Sequence, residues 1–183
     1  GSTKNWTGIA ISGDGQYQTT ATRFGEIWRS DNYGVEWRKT YTTDHYWYDV
    51  AMSSDGSRQT AIVYGGNIYT SEDYGVTWNQ DESVGSTKQW RYVDMSGDGK
   101  HQKAIVSDFK LYTSKDYGYN WSEDTSVVAK ETGWSSLAIS SDGSKKILSD
   151  FNGNIWRSPD FGATWTENTS TGAGKNWSDI AMS

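Results

Sequence analysis

Asp94 is the residue whose position most invites chemistry. It sits in a Trp-led segment at a place where the parallel segments carry Ala10, Ala51, Ala138 and Ala181. A carboxyl there could face a central channel, and hydrolysis of a glycosidic bond requires two carboxyls at a suitable separation. The chain has 23 acidic residues, so a pair can always be drawn. Most already have work in turns: Asp73, Asp116 and Asp160 in one kind, and Asp14, Asp55, Asp98 and Asp142 in another. Asp49 and Asp179 share a position with Gly8, Tyr92 and Ser136. A solvated channel side chain is the simpler role for Asp94. His45 falls in a loop and His101 at the start of a strand, and no His, Cys or Asp grouping has metal-ligand spacing. An EF-hand ladder of acids and a strand–Gly-x-Ser-x-Gly–helix setting are also missing. The expectation is no catalytic residue, no metal and no cofactor. The aromatic loop 41–46 is the best candidate ligand surface, through Tyr41, His45 and Tyr46, with Asp94 beside them. Its plainer role is packing against the neighbouring segment.

These residues hang on a repeated frame. Ser71-Glu72-Asp73-Tyr74-Gly75-Val76-Thr77-Trp78 recurs at Ser30-Asp31-Asn32-Tyr33-Gly34-Val35-Glu36-Trp37, at Ser114–Trp121 and at Ser158–Trp165. The shared pattern is Ser-x-Asp-x-Gly-x-x-Trp, with Asn32 in place of Asp in the first copy and Asp73, Asp116 and Asp160 in the others. The acid accepts backbone N–H groups in an Asx-type turn. Gly34, Gly75, Gly118 and Gly162 allow a positive φ, and Trp37, Trp78, Trp121 and Trp165 open the next strand with a ring packed on the turn. The leading serines are spaced by 41, 43 and 44 residues, and Trp6, Trp47, Trp90, Trp134 and Trp177 run in step with them. Each unit reads as four short strands: a Trp-led strand, an Asp-Gly hairpin, a second strand, a third, then the Ser-to-Trp turn and a fourth. No segment has a useful length of helical periodicity.

The motif resembles the Asp-box, or BNR repeat, of sialidases, sortilin-type receptors, xyloglucan hydrolases and photosystem assembly factors. That resemblance implies an all-β β-propeller of four-stranded antiparallel blades, with the box between the third and fourth strands of each blade. It does not imply one activity, since the family spans enzymes, receptors and assembly factors. Sialidase chemistry would need three arginines on the substrate carboxylate, a Tyr–Glu pair and an Arg-Ile-Pro type motif. The single proline, Pro159, lies inside a box, and the six arginines form no evident triad.

Four complete blades are expected, at about 5–40, 46–82, 89–124 and 133–168, within a single domain or propeller fragment spanning 1–183. An extra inner strand follows at 176–183, where Lys175-Asn176-Trp177 repeats Lys4-Asn5-Trp6. Its redundancy points to ring completion by strand exchange or self-association, in a piece of a longer array or an engineered cut from one. A net charge of −6 argues against nucleic acid, which demands a basic face. No apolar run has the roughly 20 residues of a bilayer span, so no membrane partner is expected. The absence of Cys excludes a disulfide framework without deciding the compartment. The reading is a non-enzymatic scaffold whose partner is itself, with a protein or glycan as a further ligand. A lectin-like carbohydrate-binding propeller comes second and a glycoside hydrolase third.

Overall fold

The computed structural model describes residues 3–85, 87–127, 133–172 and 174–183. It is all-β, as the repeat pattern implies. Its strands fall into four antiparallel meanders in chain order. The first holds β1 (Trp6–Ile11), β2 (Gln18–Thr22), β3 (Glu26–Ser30) and β4 (Arg38–Thr42). The second holds β5 (Trp47–Met52), β6 (Gln59–Gly66), β7 (Ile68–Ser71) and β8 (Asn79–Gln80). The third holds β9 (Lys88–Met95), β10 (Gln102–Val106), β11 (Leu111–Ser114) and β12 (Ser122–Asp124). The fourth holds β13 (Trp134–Ile139), β14 (Lys146–Gly153), β15 (Ile155–Ser158) and β16 (Thr166–Asn168). The box tryptophans lie one residue before β4, β8, β12 and β16, rather than opening those strands. Their indoles are bonded back to the turn, and the ladder starts only beyond it.

Each hairpin between the first two strands turns on a Ser-x-Asp-Gly unit. In the first, Ser12 Oγ donates to Asp14 Oδ1 at 2.7 Å, while the Gln16 N–H donates to the same oxygen at 3.0 Å. Gly15 follows at φ 80°, which a side chain would resist. Consecutive hairpins are tied together by backbone bonds. Gly13 N–H donates to Ser54 O (2.8 Å), Ser54 N–H to Gly97 O (2.7 Å), and Gly97 N–H to Ser141 O (2.7 Å). Gly97 is forced by this closeness, because a Cβ would lie 2.4 Å from Ser141 Oγ and 2.6 Å from Ser54 Oγ.

The core lies between the units, not inside any one of them. Ala21 and Ile27 of the first unit pack with Trp47, Val50, Val63, Tyr69 and Trp78 of the second. Ala51, Ile62 and Ile68 then meet Trp90, Val93, Val106, Tyr112 and Trp121 of the third. Ile105 and Leu111 meet Trp134, Leu137, Ile139 and Leu148 of the fourth. A single four-stranded sheet has two faces to cover, and side-by-side stacking covers both for every inner unit. The terminal segment extends the series. Its β17 (Lys175–Asn176) pairs with β14 at Phe151 and Gly153, as Lys88 and Gln89 of β9 pair with Gly66 and Tyr64 of β6. Trp177 Nε1 donates to Gly153 O at 3.2 Å, just as Trp90 Nε1 donates to Gly66 O at 3.1 Å. Beyond Asn176 the segment forms no ladder among the described residues. Residues 177, 180 and 182 are half-buried among exposed neighbours.

Candidate functional site

The box turns place the most polar side chains, and they consume them. In the second box Ser71 Oγ donates to Asp73 Oδ1 (2.8 Å) and accepts the Gly75 N–H (2.9 Å). The Thr77 N–H and hydroxyl then donate to the two Asp73 oxygens at 2.8 and 2.6 Å, and Trp78 Nε1 donates to Gly75 O at 3.2 Å. The third box repeats this with Ser114, Asp116, Gly118 and Trp121, and the fourth with Ser158, Asp160, Gly162 and Trp165. Hydrogen bonds from the Thr164 hydroxyl and N–H hold the Asp160 carboxyl below the ordinary carboxylate range. The first box works with an amide: Ser30 Oγ and the Glu36 N–H donate to Asn32 Oδ1 at 3.0 and 2.9 Å, and Trp37 Nε1 reaches Gly34 O at 3.1 Å. Box carboxylates thus act as turn acceptors.

One box position escaped the sequence pattern. The residue before each box glycine is aromatic and left-handed: Tyr33 (φ 61°), Tyr74 (62°), Tyr117 (65°) and Phe161 (61°). Such angles cost a non-glycine residue energy, and stacking across units offsets it. Tyr74 lies 4.5 Å from Tyr17, Tyr117 lies 4.2 Å from the Arg58 guanidinium, and Phe161 lies 5.0 Å from His101. In each case the partner comes from the preceding unit. The constant aromatic character of this position was the available signal.

The loop 41–46 divides. Tyr41 and His45 face inward onto Trp47 and Tyr69, with His45 Nε2 2.6 Å from the Tyr69 hydroxyl. Tyr46 turns the other way, into a cluster with Tyr48 and Tyr64 beside a cavity of about 560 Å³ that also borders Asp49, Arg91 and Asp179. Asp94 is not brought to that cluster. Its Oδ2 accepts the Ile139 N–H of the next inner strand at 2.7 Å, and burial pushes its carboxyl up to about 6. Asp49 behaves alike: it accepts the Val50 and Val93 N–H groups at 2.9 and 3.1 Å, and burial, more than its neighbouring acids, pushes it up to about 7. Both carboxyls link one inner strand to the next. Among the described residues no group of three or more His, Cys, Asp or Glu could hold a metal ion.

The family model of the BNR-Asp box repeat matches residues 68–81, 111–125 and 155–168. The chain thus carries three Asp-box repeats. The first box, with its asparagine, falls outside the matched residues yet makes the same serine, backbone N–H and indole bonds. Solved structures with the same fold include the GH74 xyloglucanase from Xanthomonas campestris, with a TM-score of 0.68 and 17% identity over 88% of this chain. YCF48 from Cyanidioschyzon merolae gives 0.67 and 16% over 97%, and a chain of a nidogen/laminin complex gives 0.72 and 13% over 97%. The Asp-box chain spans 29% of that xyloglucanase, 59% of that YCF48 and 68% of the third chain. Identities this low speak for the fold alone. No curated protein matches in sequence.

Proposed function

We propose that the chain is a non-enzymatic interaction module whose ring is completed by a second copy of itself. One observation carries this reading. The face that β5 and its unit bury against the first unit has its repeat equivalent on β1, and there it is bare. Trp47 and Val50 are 0% and 4% exposed, whereas Trp6 and Ile9 are 53% and 68% exposed. Trp6, Ile9, Trp28 and Trp37 line one apolar groove, and among the described residues Tyr33 lacks the stacking partner that Tyr74 and Tyr117 have. A patch with this composition is an interface in waiting.

A neighbouring copy offers a fitting surface in its fourth unit. The segment from Trp177 onward already lies against that unit, with Ser136 Oγ donating to Asp179 Oδ1 at 2.9 Å. β1 is the close sequence counterpart of that segment and can take its place, which is strand exchange between identical chains. Engagement of Asp49 and Asp94 by backbone N–H groups favours a structural over a catalytic role. Propellers of this fold also hold protein ligands, as in YCF48 bound to D1 peptide and the nidogen/laminin complex.

Light scattering tests the reading. The chain is expected to be multimeric, and Trp6→Glu with Ile9→Glu, both already exposed, is expected to give a folded monomer. Truncation before Lys175 should strengthen association by clearing the fourth unit. A monomer at every concentration, unchanged by either alteration, would remove the proposal.

A further inference from the structure

The cavity beside Tyr46 carries a second feature. Arg29, Arg38 and Arg58 each have a carboxylate partner, Asp31, Asp31 with Glu36, and Glu72 respectively. Arg23 and Arg91 have no ion pair among the described residues. They lie instead on tyrosines. The Arg23 guanidinium is 4.6 Å from the Tyr46 ring centre, and Arg91 is 5.4 Å from Tyr48 and 5.2 Å from Tyr64. Arg91 Nη1 also donates to the Tyr48 hydroxyl at 2.9 Å. The three tyrosines pack on one another with ring centres 5.4–6.2 Å apart, so the two guanidiniums flank a common aromatic block.

Stacking on an aromatic face satisfies the flat side of a guanidinium and leaves its N–H edge open. That edge is shaped for bidentate binding of a carboxylate. Both arginines and two of the tyrosines border the same cavity. The acids that share it do not fill the role, because Asp49 is bonded to backbone N–H groups and Asp179 to Ser136 and Ile180. Arg157 also has no ion pair among the described residues but lies elsewhere, so Arg23 and Arg91 are the two such guanidiniums that share this cavity. Beside them Phe24 packs edge-on to Tyr46 at 6.2 Å while remaining 73% exposed, which adds an apolar foothold at the rim.

We propose that Arg23 and Arg91, set on the Tyr46, Tyr48 and Tyr64 block, bind an extended acidic peptide segment, each guanidinium taking one carboxylate and Phe24 an adjacent apolar side chain. The tyrosine faces are spent on one another and on the arginines, which leaves little flat surface for stacking a sugar ring and favours a peptide over an acidic glycan. The proposal deepens the reading of the chain as an interaction module but does not depend on self-association.

The test is binding of a fluorescein-labelled peptide of four Glu-Leu repeats, by anisotropy, to the full chain. Its competitors are the same peptide with Gln for Glu, and oligogalacturonate as an acidic glycan. The Glu peptide is expected to bind and to weaken with added salt, with the Gln peptide at least about tenfold weaker. Arg23→Gln with Arg91→Gln should abolish binding, while Arg91→Lys, which keeps charge but loses the fork, should fall between. An unchanged thermal midpoint in the variants separates lost contacts from lost fold. Equal binding of the Gln peptide, indifference to the arginine variants, or tighter binding of oligogalacturonate would each overturn the proposal. Loss of peptide binding with multimers intact, or the reverse, tells which of the two readings has failed.

Discussion

Trp6 and Trp47 occupy the same repeat position, carry the same side chain, and open the same kind of strand. One is half in solvent and the other is sealed between two units. The difference teaches that in a stacked-unit protein the energetic role of a residue is set by whether a neighbour is present, not by its local motif. Trp47→Ala should therefore cost about 3–5 kcal/mol, the range for emptying a packed aromatic site, read as a shift in urea midpoint. Trp6→Ala should stay within about 0.5 kcal/mol in the dissociated chain. Equal effects would mean that the two faces are equivalent in solution, with Trp6 covered by a partner at the concentration used. Repeating the measurement across a dilution series discriminates these cases.

Much of this frame was legible beforehand, and the missing part has a physical reason. Turn chemistry is local, so the boxes, the Asp-Gly hairpins and the strand order followed from spacing alone. Contacts between units join residues some 40 positions apart, for which no turn rule speaks. Tyr46 stood out in the sequence as aromatic, but Arg23, Tyr64 and Arg91, which complete its cluster, lie on three different elements. Asp94 stood out as an anomaly in its strand. Nothing in the sequence indicated that its carboxyl would be spent on the Ile139 N–H. Tyr41 and His45 pack onto Trp47 and Tyr69, a pairing that depends on how the loop folds back.

The inner-strand acids sharpen the comparison between units, since Gly8 stands in the first unit where Asp49 stands in the second. A Cβ on Gly8 would lie 2.8 Å from Asp49, so the first unit receives the acid's strand closely and contributes no acid itself. Because the native Asp49 carboxyl keeps its proton up to about 7 and the unfolded one releases it near 4, the native state binds more protons between those values. Stability should accordingly fall as pH rises from about 4 to 7, on the order of 2 kcal/mol for this group given its half-buried setting. Box carboxyls held low, such as Asp160, act only at still lower pH. Asp49→Asn should flatten that slope, as measured by thermal midpoints at pH 4.5 and 7.5. A slope that survives the substitution would assign it to Asp94 or elsewhere.

The second and third interfaces form a similar pair. Between the second and third units Thr60 Oγ1 donates to Gln102 Oε1 at 2.7 Å, and Gln102 Nε2 reaches Gly99 O at 2.8 Å. Between the third and fourth units the same two positions are Lys103 and Lys146, both buried. Lys103 pairs with Asp124, but Lys146 has no such partner among the described residues. Burial, then the charge of Lys103, pushes its amine down to about 8. The unfolded chain binds more protons between pH 8 and the ordinary lysine value, so stability should rise with pH over that window. Lys146→Gln restores the amide present at 18, 59 and 102, whose Nε2 groups all bond the hairpin glycine carbonyl. It should stabilise by about 1–2 kcal/mol at pH 7 and remove the rise above pH 8. Destabilisation would mean that Lys146 has an anionic partner in solution.

The smallest contrast is between the first two boxes. Asp73 uses both oxygens, the second on the Thr77 hydroxyl at 2.6 Å. Asn32 faces Glu36 at that place, which has no hydroxyl to donate, and its single carbonyl oxygen already takes both available donors. A second carboxylate oxygen would gain no partner there and would sit near Asp31 and Glu36. Asn32→Asp should therefore be neutral or destabilising by about 0.5 kcal/mol, an amount set by like-charge proximity and screened by salt. Asp73→Asn should cost about 0.5–1 kcal/mol, since a charge-assisted bond becomes an ordinary one. A gain above about 1 kcal/mol from Asn32→Asp would mark the first box as a degraded copy. The expected null result would instead mean that the amide is fitted to the residue four places on, and that box positions are chosen as a set.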